Sequence, residues 1–303
     1  MTGAEREAER AAASAAGPGG VAVVTGASRG AGRAIAEVLG ERGMTVYVTA
    51  RSSRGGERTE GLPGTVEETA ERVTAAGGGG VAVRLDHRDD GGVRALFERV
   101  RAEAGRLDVL VNNVWGGYEG YFESDFDAPF WEQPPARWEG MFDAGVRAHL
   151  IASAYAAPLM IERGRGLIVS TVAWAFGRYM GNVIYDTSKA AILRMIHGFA
   201  HDLAPHGVAA VAVAPGFMRT ERVLAAHAAS PFDLEATESP TYLARAIAAL
   251  AEDPKLIART GRLLTAGDLA REYGFTDVDG RQPPPFRIPG EPAIDAPALV
   301  PGA

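Results

Sequence analysis

Tyr185 and Lys189 stand four residues apart in Tyr-Asp-Thr-Ser-Lys, which puts both side chains on one face where a helix begins. An unperturbed tyrosine, with a pKa of about 10, exchanges protons poorly near neutrality. An ammonium one turn away stabilises the phenolate and lowers that pKa. The pair is therefore a candidate acid/base centre. The spacing alone is common by chance, so its meaning depends on what surrounds it.

A second candidate lies near the start, in Thr25-Gly26-Ala27-Ser28-Arg29-Gly30-Ala31-Gly32. It joins an apolar β-branched run to an alanine-rich helical stretch. Glycines let such a turn approach a pyrophosphate closely, and the charge then sits over the helix N-terminus. The spacing is GxxxGxG rather than GxGxxG, and no GK[ST] follows, so a P-loop is not expected. A purely structural glycine turn is the alternative. Arg51 directly follows the second apolar run, where a carboxylate would hold a ribose 2′-hydroxyl. Arg29 lies inside the loop. Two guanidiniums at these places suit a 2′-phosphate and favour NADP(H) over NAD(H), unless both are solvated surface arginines.

Other chemistries are excluded by composition. The 303 residues contain no cysteine, which rules out disulfides, thiol nucleophiles and thiolate metal sites. Six histidines form no tight ligand pair; His197 and His201 share a helical face, but no carboxylate pattern supports them, and no metal is expected. The formal net charge of −7 argues against nucleic acid or an anionic membrane surface as partner. No uncharged apolar run reaches the ~18 residues of a membrane span, and residues 1–19 lack a secretion signal's apolar core. A cytoplasmic protein acting on a small molecule is expected.

The elements that must hold these residues alternate along the chain. Apolar runs at Val21–Thr25, Thr45–Thr49, Val81–Leu85, Leu107–Asn112, Leu167–Thr171 and Val208–Val213, with a weaker one at Arg262–Thr265, predict strands. Helical stretches fall at 31–42, 65–76, 91–104, 136–162, 186–204 and 239–252. Continuous apolar strands separated by helices predict an α/β, Rossmann-like, doubly wound parallel sheet of about seven strands, with helices on both faces. The expected organisation is a flexible segment 1–19, one domain over 20–275, and a proline-rich arm over 276–303. From Gln282 onward that arm has little to pack.

In this order, the motifs resemble the short-chain dehydrogenase/reductase family. The matching pieces are TGASRGAG at 25–32, Asp86, Asn112-Asn113, YDTSK at 185–189, and Pro215-Gly216 followed by Thr220. WEQPPARWEG at 131–140, RYMGNVIY at 178–185 and DLAREYGFTDVDGR at 268–281 resemble the subgroup typified by dehydrogenase/reductase SDR family member one. The resemblance implies that Gly26, Ser28, Arg29, Gly30 and Gly32 hold cofactor phosphates and ribose. It implies Asp86 at the adenine, Asn112 by the ribose, and Pro215, Gly216 and Thr220 at the nicotinamide carboxamide. Tyr185 would be the proton donor or acceptor, and Lys189 would hold the ribose and tune the tyrosine. Homodimers or homotetramers through the long alanine-rich helices are also implied.

The pattern fails at two places. The family's serine, thirteen residues before the tyrosine, is replaced by Val172, with Ser170 and Thr171 beside it. Strand alternation points 170 and 172 one way and 171 the other. Thr171 is the expected partial substitute if a local bulge turns its hydroxyl inward; a plain β-branched strand residue is the alternative. The family's helix asparagine is replaced by Gly145. A lost oxyanion donor is typically worth about 10²–10³ in rate. Two readings therefore stay open: an NADP(H)-dependent ketone/alcohol oxidoreductase, or a non-redox isomerase, lyase, cyclase or nucleotide-binding protein on the same fold.

The insertion 115–138 holds eight aromatic residues, a third of the chain's 4 Trp, 8 Tyr and 11 Phe. Placed beyond a strand's C-terminal end, it predicts an apolar wall over the crevice, suited to a bulky or polycyclic substrate. A satellite cluster that only pins the loop is the alternative. Trp174, Phe176, Phe217 and Met218 are candidates to extend the wall.

Overall fold

A computed structural model of the chain describes residues 19–120, 125–173, 179–229 and 231–286. Seven parallel strands form one sheet in the order β3-β2-β1-β4-β5-β6-β7. They are β1 Val21–Thr25, β2 Thr45–Ala50, β3 Gly79–Arg84, β4 Val109–Asn112, β5 Gly166–Thr171, β6 Val208–Ala214 and β7 Leu263–Thr265. The helices are α1 Gly30–Glu41, α2 Val66–Ala75, α3 Asp90–Ala104, α4 Pro135–Ile161, α5 Val183–Leu203, α6 Glu221–Ala229, α7 Pro240–Glu252 and α8 Ala266–Tyr273.

Strand alternation sorts the core into two layers. Val24, Val48, Val111 and Val169 face α1, α2, α7 and α8. Val23, Leu110, Ile168 and Val172 face α3, α4 and α5. Both faces are covered, as a parallel sheet of continuous apolar strands requires. The strand order reverses between β1 and β4, and a crevice opens there beyond the strands' C-terminal ends.

α4 is long and apolar enough to cross a membrane by length and composition, yet half of its most apolar stretch is buried inside the fold. Ala152, Ala156 and Met160 belong to the core layer that also holds β4 and β5 residues, so packing accounts for its apolar character. Its first half, over Glu139–Arg147, is wound as a π-helix, a local widening often found beside functional sites.

The segment after Gln282 is packed as far as it is described. Tyr242 donates its hydroxyl to the Pro283 carbonyl at 2.9 Å, and the Gln282 amide donates to the carbonyls of Ala270 and Phe275. The expectation that this stretch has little to pack is corrected for residues 282–286. The reason is that α7 and α8 offer it backbone and hydroxyl partners.

Candidate active site

The loop between β1 and α1 is built for close approach. A Cβ at Gly32 would lie 2.4 Å from the Gly26 carbonyl oxygen and 2.6 Å from Asn113 Nδ2, so only glycine lets α1 start there. Gly32 therefore seats the helix against the loop, while Gly26, Ser28, Arg29 and Gly30 line the crevice. The Gly30 N–H donates to the Glu221 carboxylate at 3.0 Å, and Arg33 pairs with the same carboxylate at 3.6 Å. An anion thus already sits at the N-terminus of α1, the place a pyrophosphate takes in this kind of turn.

Beyond β2, Arg29 donates through Nη2 to Ser52 Oγ at 2.7 Å and through Nη1 to the Thr59 carbonyl at 3.1 Å. Burial pulls the Arg29 pKa down, against the pull of Glu221 and Glu60. Arg51 lines the same end of the crevice and pairs with Glu119. Asp86 lines it too, held by the Arg88 guanidinium at 2.6 Å. Ser52 also donates its hydroxyl to Thr59 Oγ1 at 3.3 Å, so Arg29, Ser52 and Thr59 form one polar group in a cavity that Arg51 also lines; these donors fit a nucleotide ribose.

Asn112 requires a correction. As the last β4 residue it follows Leu110 onto the α4 face, is wholly buried, and donates its amide to Ser153 Oγ at 2.9 Å. Its neighbour Asn113 lines the crevice instead, donating to the carbonyls of Thr25 and Gly26 at 3.0 and 3.1 Å. The Thr25 hydroxyl accepts from the backbone of Asn113 and Val114, and His149 Nε2 donates to the Val114 carbonyl at 3.1 Å. The loop after β4 is pinned at both ends of this short stretch.

Trp115 and Tyr118 extend from that loop over Tyr185. Tyr185 is buried, with ring centroids of Trp115, Tyr118 and Phe126 at 5.9, 6.2 and 5.7 Å. The helix that carries it is capped by Asn182, whose Oδ1 accepts from the Tyr185 N–H at 3.0 Å. The Asn182 amide donates to the Phe126 carbonyl at 2.8 Å, so one residue fixes both helix and aromatic wall. Lys189 lies with Nζ 3.1 Å from the Trp115 ring centroid and 5.2 Å from that of Tyr185. Burial, and then the neighbouring Tyr118 hydroxyl, push the Tyr185 pKa well above its ordinary value. Burial lowers the Lys189 ammonium to about 7.

Val172 is buried in the layer facing α5, where it has no hydroxyl to offer. Ser170, on the same face one layer deeper, is also buried, and its Oγ finds no partner. Thr171 lines the crevice, but its hydroxyl donates to Asn113 Oδ1 at 3.4 Å. Gly145 has a packing reason: a Cβ there would lie 2.7 Å from the Trp115 ring. The indole fills the space beside the π-helical turn.

The crevice has a volume of about 870 Å³, in the upper part of the range of ligand pockets. Pro215, Gly216 and Thr220 line it, with Phe217, Met218, Phe232 and Phe286. Of the insertion, Trp115, Tyr118 and Phe126 reach the cavity. Phe130, Trp131 and Trp138 stand exposed instead. Tyr121, Phe122, Trp174 and Phe176 lie outside the described residues. Phe232 and Phe286 escaped the sequence reading, being single aromatics in irregular segments. No group of three or more His, Asp or Glu suited to a metal occurs among the described residues.

Comparison with known proteins agrees with the fold and the order of motifs. The sequence pattern of the short chain dehydrogenase family matches residues 20–229. The chain belongs to the short-chain dehydrogenase/reductase family and is an oxidoreductase of that family. Its subgroup is that of dehydrogenase/reductase SDR family member 1: the Mus musculus protein of that name is 38% identical over 229 residues, spanning 72% of this chain and 73% of its own. A putative dehydrogenase from Xanthomonas campestris superposes with a TM-score of 0.73 at 24% identity, covering 89% of this chain and 98% of its own. A metagenomic short-chain oxidoreductase solved in complex with NADP has a TM-score of 0.61 at 28% identity, covering 80% of this chain and 92% of its own.

Proposed function

We propose that the chain is a cytoplasmic, NADP(H)-dependent oxidoreductase interconverting a ketone and an alcohol in a bulky apolar or polycyclic substrate. The observation that carries this reading is one continuous cavity. It runs from Arg29, Arg51 and Ser52 at one end to Tyr185, Lys189 and the aromatic wall at the other. Arg29 and Arg51 would face the 2′-phosphate, and Asp86 the adenine. Gly26, Ser28 and Gly30 would cradle the pyrophosphate, and Pro215, Gly216 and Thr220 would face the carboxamide. The bound nicotinamide supplies or accepts the hydride.

Tyr185 exchanges the proton with the substrate oxygen. Burial keeps its hydroxyl protonated, which readies it as the acid of the reduction direction. The negative charge of a bound dinucleotide favours the ammonium of Lys189, and that ammonium in turn lowers the tyrosine. Tyr185→Phe is expected to abolish turnover and leave NADPH affinity nearly unchanged. Titration calorimetry should give tighter binding of NADPH than NADH, with Arg51→Asp erasing or reversing the preference. Equal affinities, unaltered in that variant, would refute the cofactor assignment.

A non-redox activity on the same fold draws on Val172 alone. It predicts no turnover of a broad ketone panel by the native protein, and measurable reduction after Val172→Ser. A homodimer or homotetramer belongs to the proposed reading, and sedimentation at micromolar concentration showing only the single chain would exclude it.

A further inference from the structure

The hydroxyl that Val172 lacks has a counterpart in the loop after β4. Tyr118 donates its hydroxyl to the Tyr185 hydroxyl at 3.3 Å, and the two rings lie 30° from parallel. Trp115 packs against the edge of Tyr118 at 6.1 Å, with Phe126 at 6.3 Å. The phenol is thus braced on both sides rather than swinging in solvent. Two hydroxyls this far apart can both reach one acceptor oxygen at about 2.8 Å. The rival hydroxyls are directed elsewhere: Thr171 donates to Asn113, and Ser170 is sealed within the sheet.

We propose that Tyr118 is a catalytic residue, giving the substrate oxygen the hydrogen bond for which the strand carries no serine. The proposal rests on the oxidoreductase reading above. In reduction, the carbonyl carbon would take up the hydride that a bound NADPH supplies, the dinucleotide being oxidised to NADP⁺, and the C=O π pair moves onto oxygen. That oxygen takes the proton of Tyr185, leaving a phenolate that solvent reprotonates. Tyr118 stabilises the charge developing on the oxygen and keeps its own proton throughout, so it adds nothing to the balance. A phenol, with a pKa of about 10, is an O–H donor already more acidic than an aliphatic hydroxyl. The donor also comes from the segment that walls the substrate cavity, so substrate fit and transition-state stabilisation depend on the same loop.

The test is Tyr118→Phe, which keeps the ring and deletes one oxygen. For NADPH-driven reduction of a ketone that the native enzyme turns over, kcat should fall about 10²–10³-fold. KM should stay within about threefold, and NADPH affinity should be unchanged, as for loss of an interaction made in the transition state. Adding Val172→Ser to Tyr118→Phe should restore at least about tenfold in kcat, which a merely structural tyrosine would not allow. Native kcat in Tyr118→Phe overturns the proposal, and so does a loss that Val172→Ser leaves unrepaired. A fall in Thr171→Val as deep as in Tyr118→Phe would give the role to Thr171. A native protein that binds NADPH but interconverts no ketone or alcohol removes the oxidoreductase reading, and this one with it.

Discussion

The ring of Trp115 occupies the space that any side chain at Gly145 would need: a Cβ there would come within 2.7 Å of the indole. The opposite consequence falls on Lys189, whose ammonium rests 3.1 Å from the ring centroid. A desolvated cation over an indole face gains about 2 kcal/mol, part of what burial takes from it. One aromatic thus fills the helix groove and steadies the buried lysine.

Gly145→Ala should therefore destabilise the fold by about 1–3 kcal/mol, the usual cost of overpacking a filled site. Urea denaturation would measure it. In a Trp115→Leu background the same change should cost under about 0.5 kcal/mol, because the clash partner is gone. A full penalty in both backgrounds would place the strain elsewhere.

Glu221 competes with any phosphate for the Gly30 N–H. Glu221→Gln keeps the size and removes the charge, so NADPH should bind about fivefold more tightly, as expected for losing about 1 kcal/mol of water-screened repulsion. The gain should shrink at high salt. Titration calorimetry at two ionic strengths reads both effects, and weaker binding in the variant would contradict the competition.

Asn182→Ala removes a helix cap and the anchor on the Phe126 carbonyl together. The expected cost is about 1–2 kcal/mol in stability. Loss of the anchor should also raise KM for a bulky substrate while leaving NADPH affinity unchanged. A stability loss with unaltered KM would mean that the wall stands without this tie.

Two buried histidines set the acid response. Burial lowers His87 to about 4 and His149 to about 3, while the unfolded chain takes up protons near 6.5. Protons therefore favour the unfolded state, and stability present above about pH 6.5 is lost as pH falls toward 3. Glu238 has the opposite slope: burial raises its carboxyl to about 7, so its contribution is lost as pH rises from about 4.5 to 7. Thermal melts between pH 4 and 8 should show His149→Gln flattening the acid side. Glu238→Gln should raise Tm at pH 8 more than at pH 5. Parallel shifts at all pH values would exclude both groups as the source.

Period and β-branching made the sheet legible, because six of the strands are short apolar runs bounded by helices. β3 begins earlier than its β-branched residues, at Gly79. Its Gly80 has no room for a side chain, since a Cβ would lie 1.9 Å from the Ala70 carbonyl oxygen of α2; such a tertiary constraint leaves no periodic trace. α6 and α8 leave little periodic trace because each is short; α6 follows an irregular stretch after β6, and α8 starts directly at the end of β7. The Tyr185–Lys189 pair and the glycine turn are local in sequence and were readable. The place of Tyr118 depends on how a non-periodic loop docks against the π-helical part of α4, which only the folded chain displays.

The strap that runs from Gln282 to Phe286 gives the cavity walls of two kinds. Residues up to 229 form the unit that the family shares, and they carry the proton-transfer pair and the nucleotide cradle. Phe232 and Phe286 come from beyond that unit and line the same cavity. The wall of the cavity can therefore change through residues that belong neither to the Tyr185–Lys189 pair nor to the glycine loop.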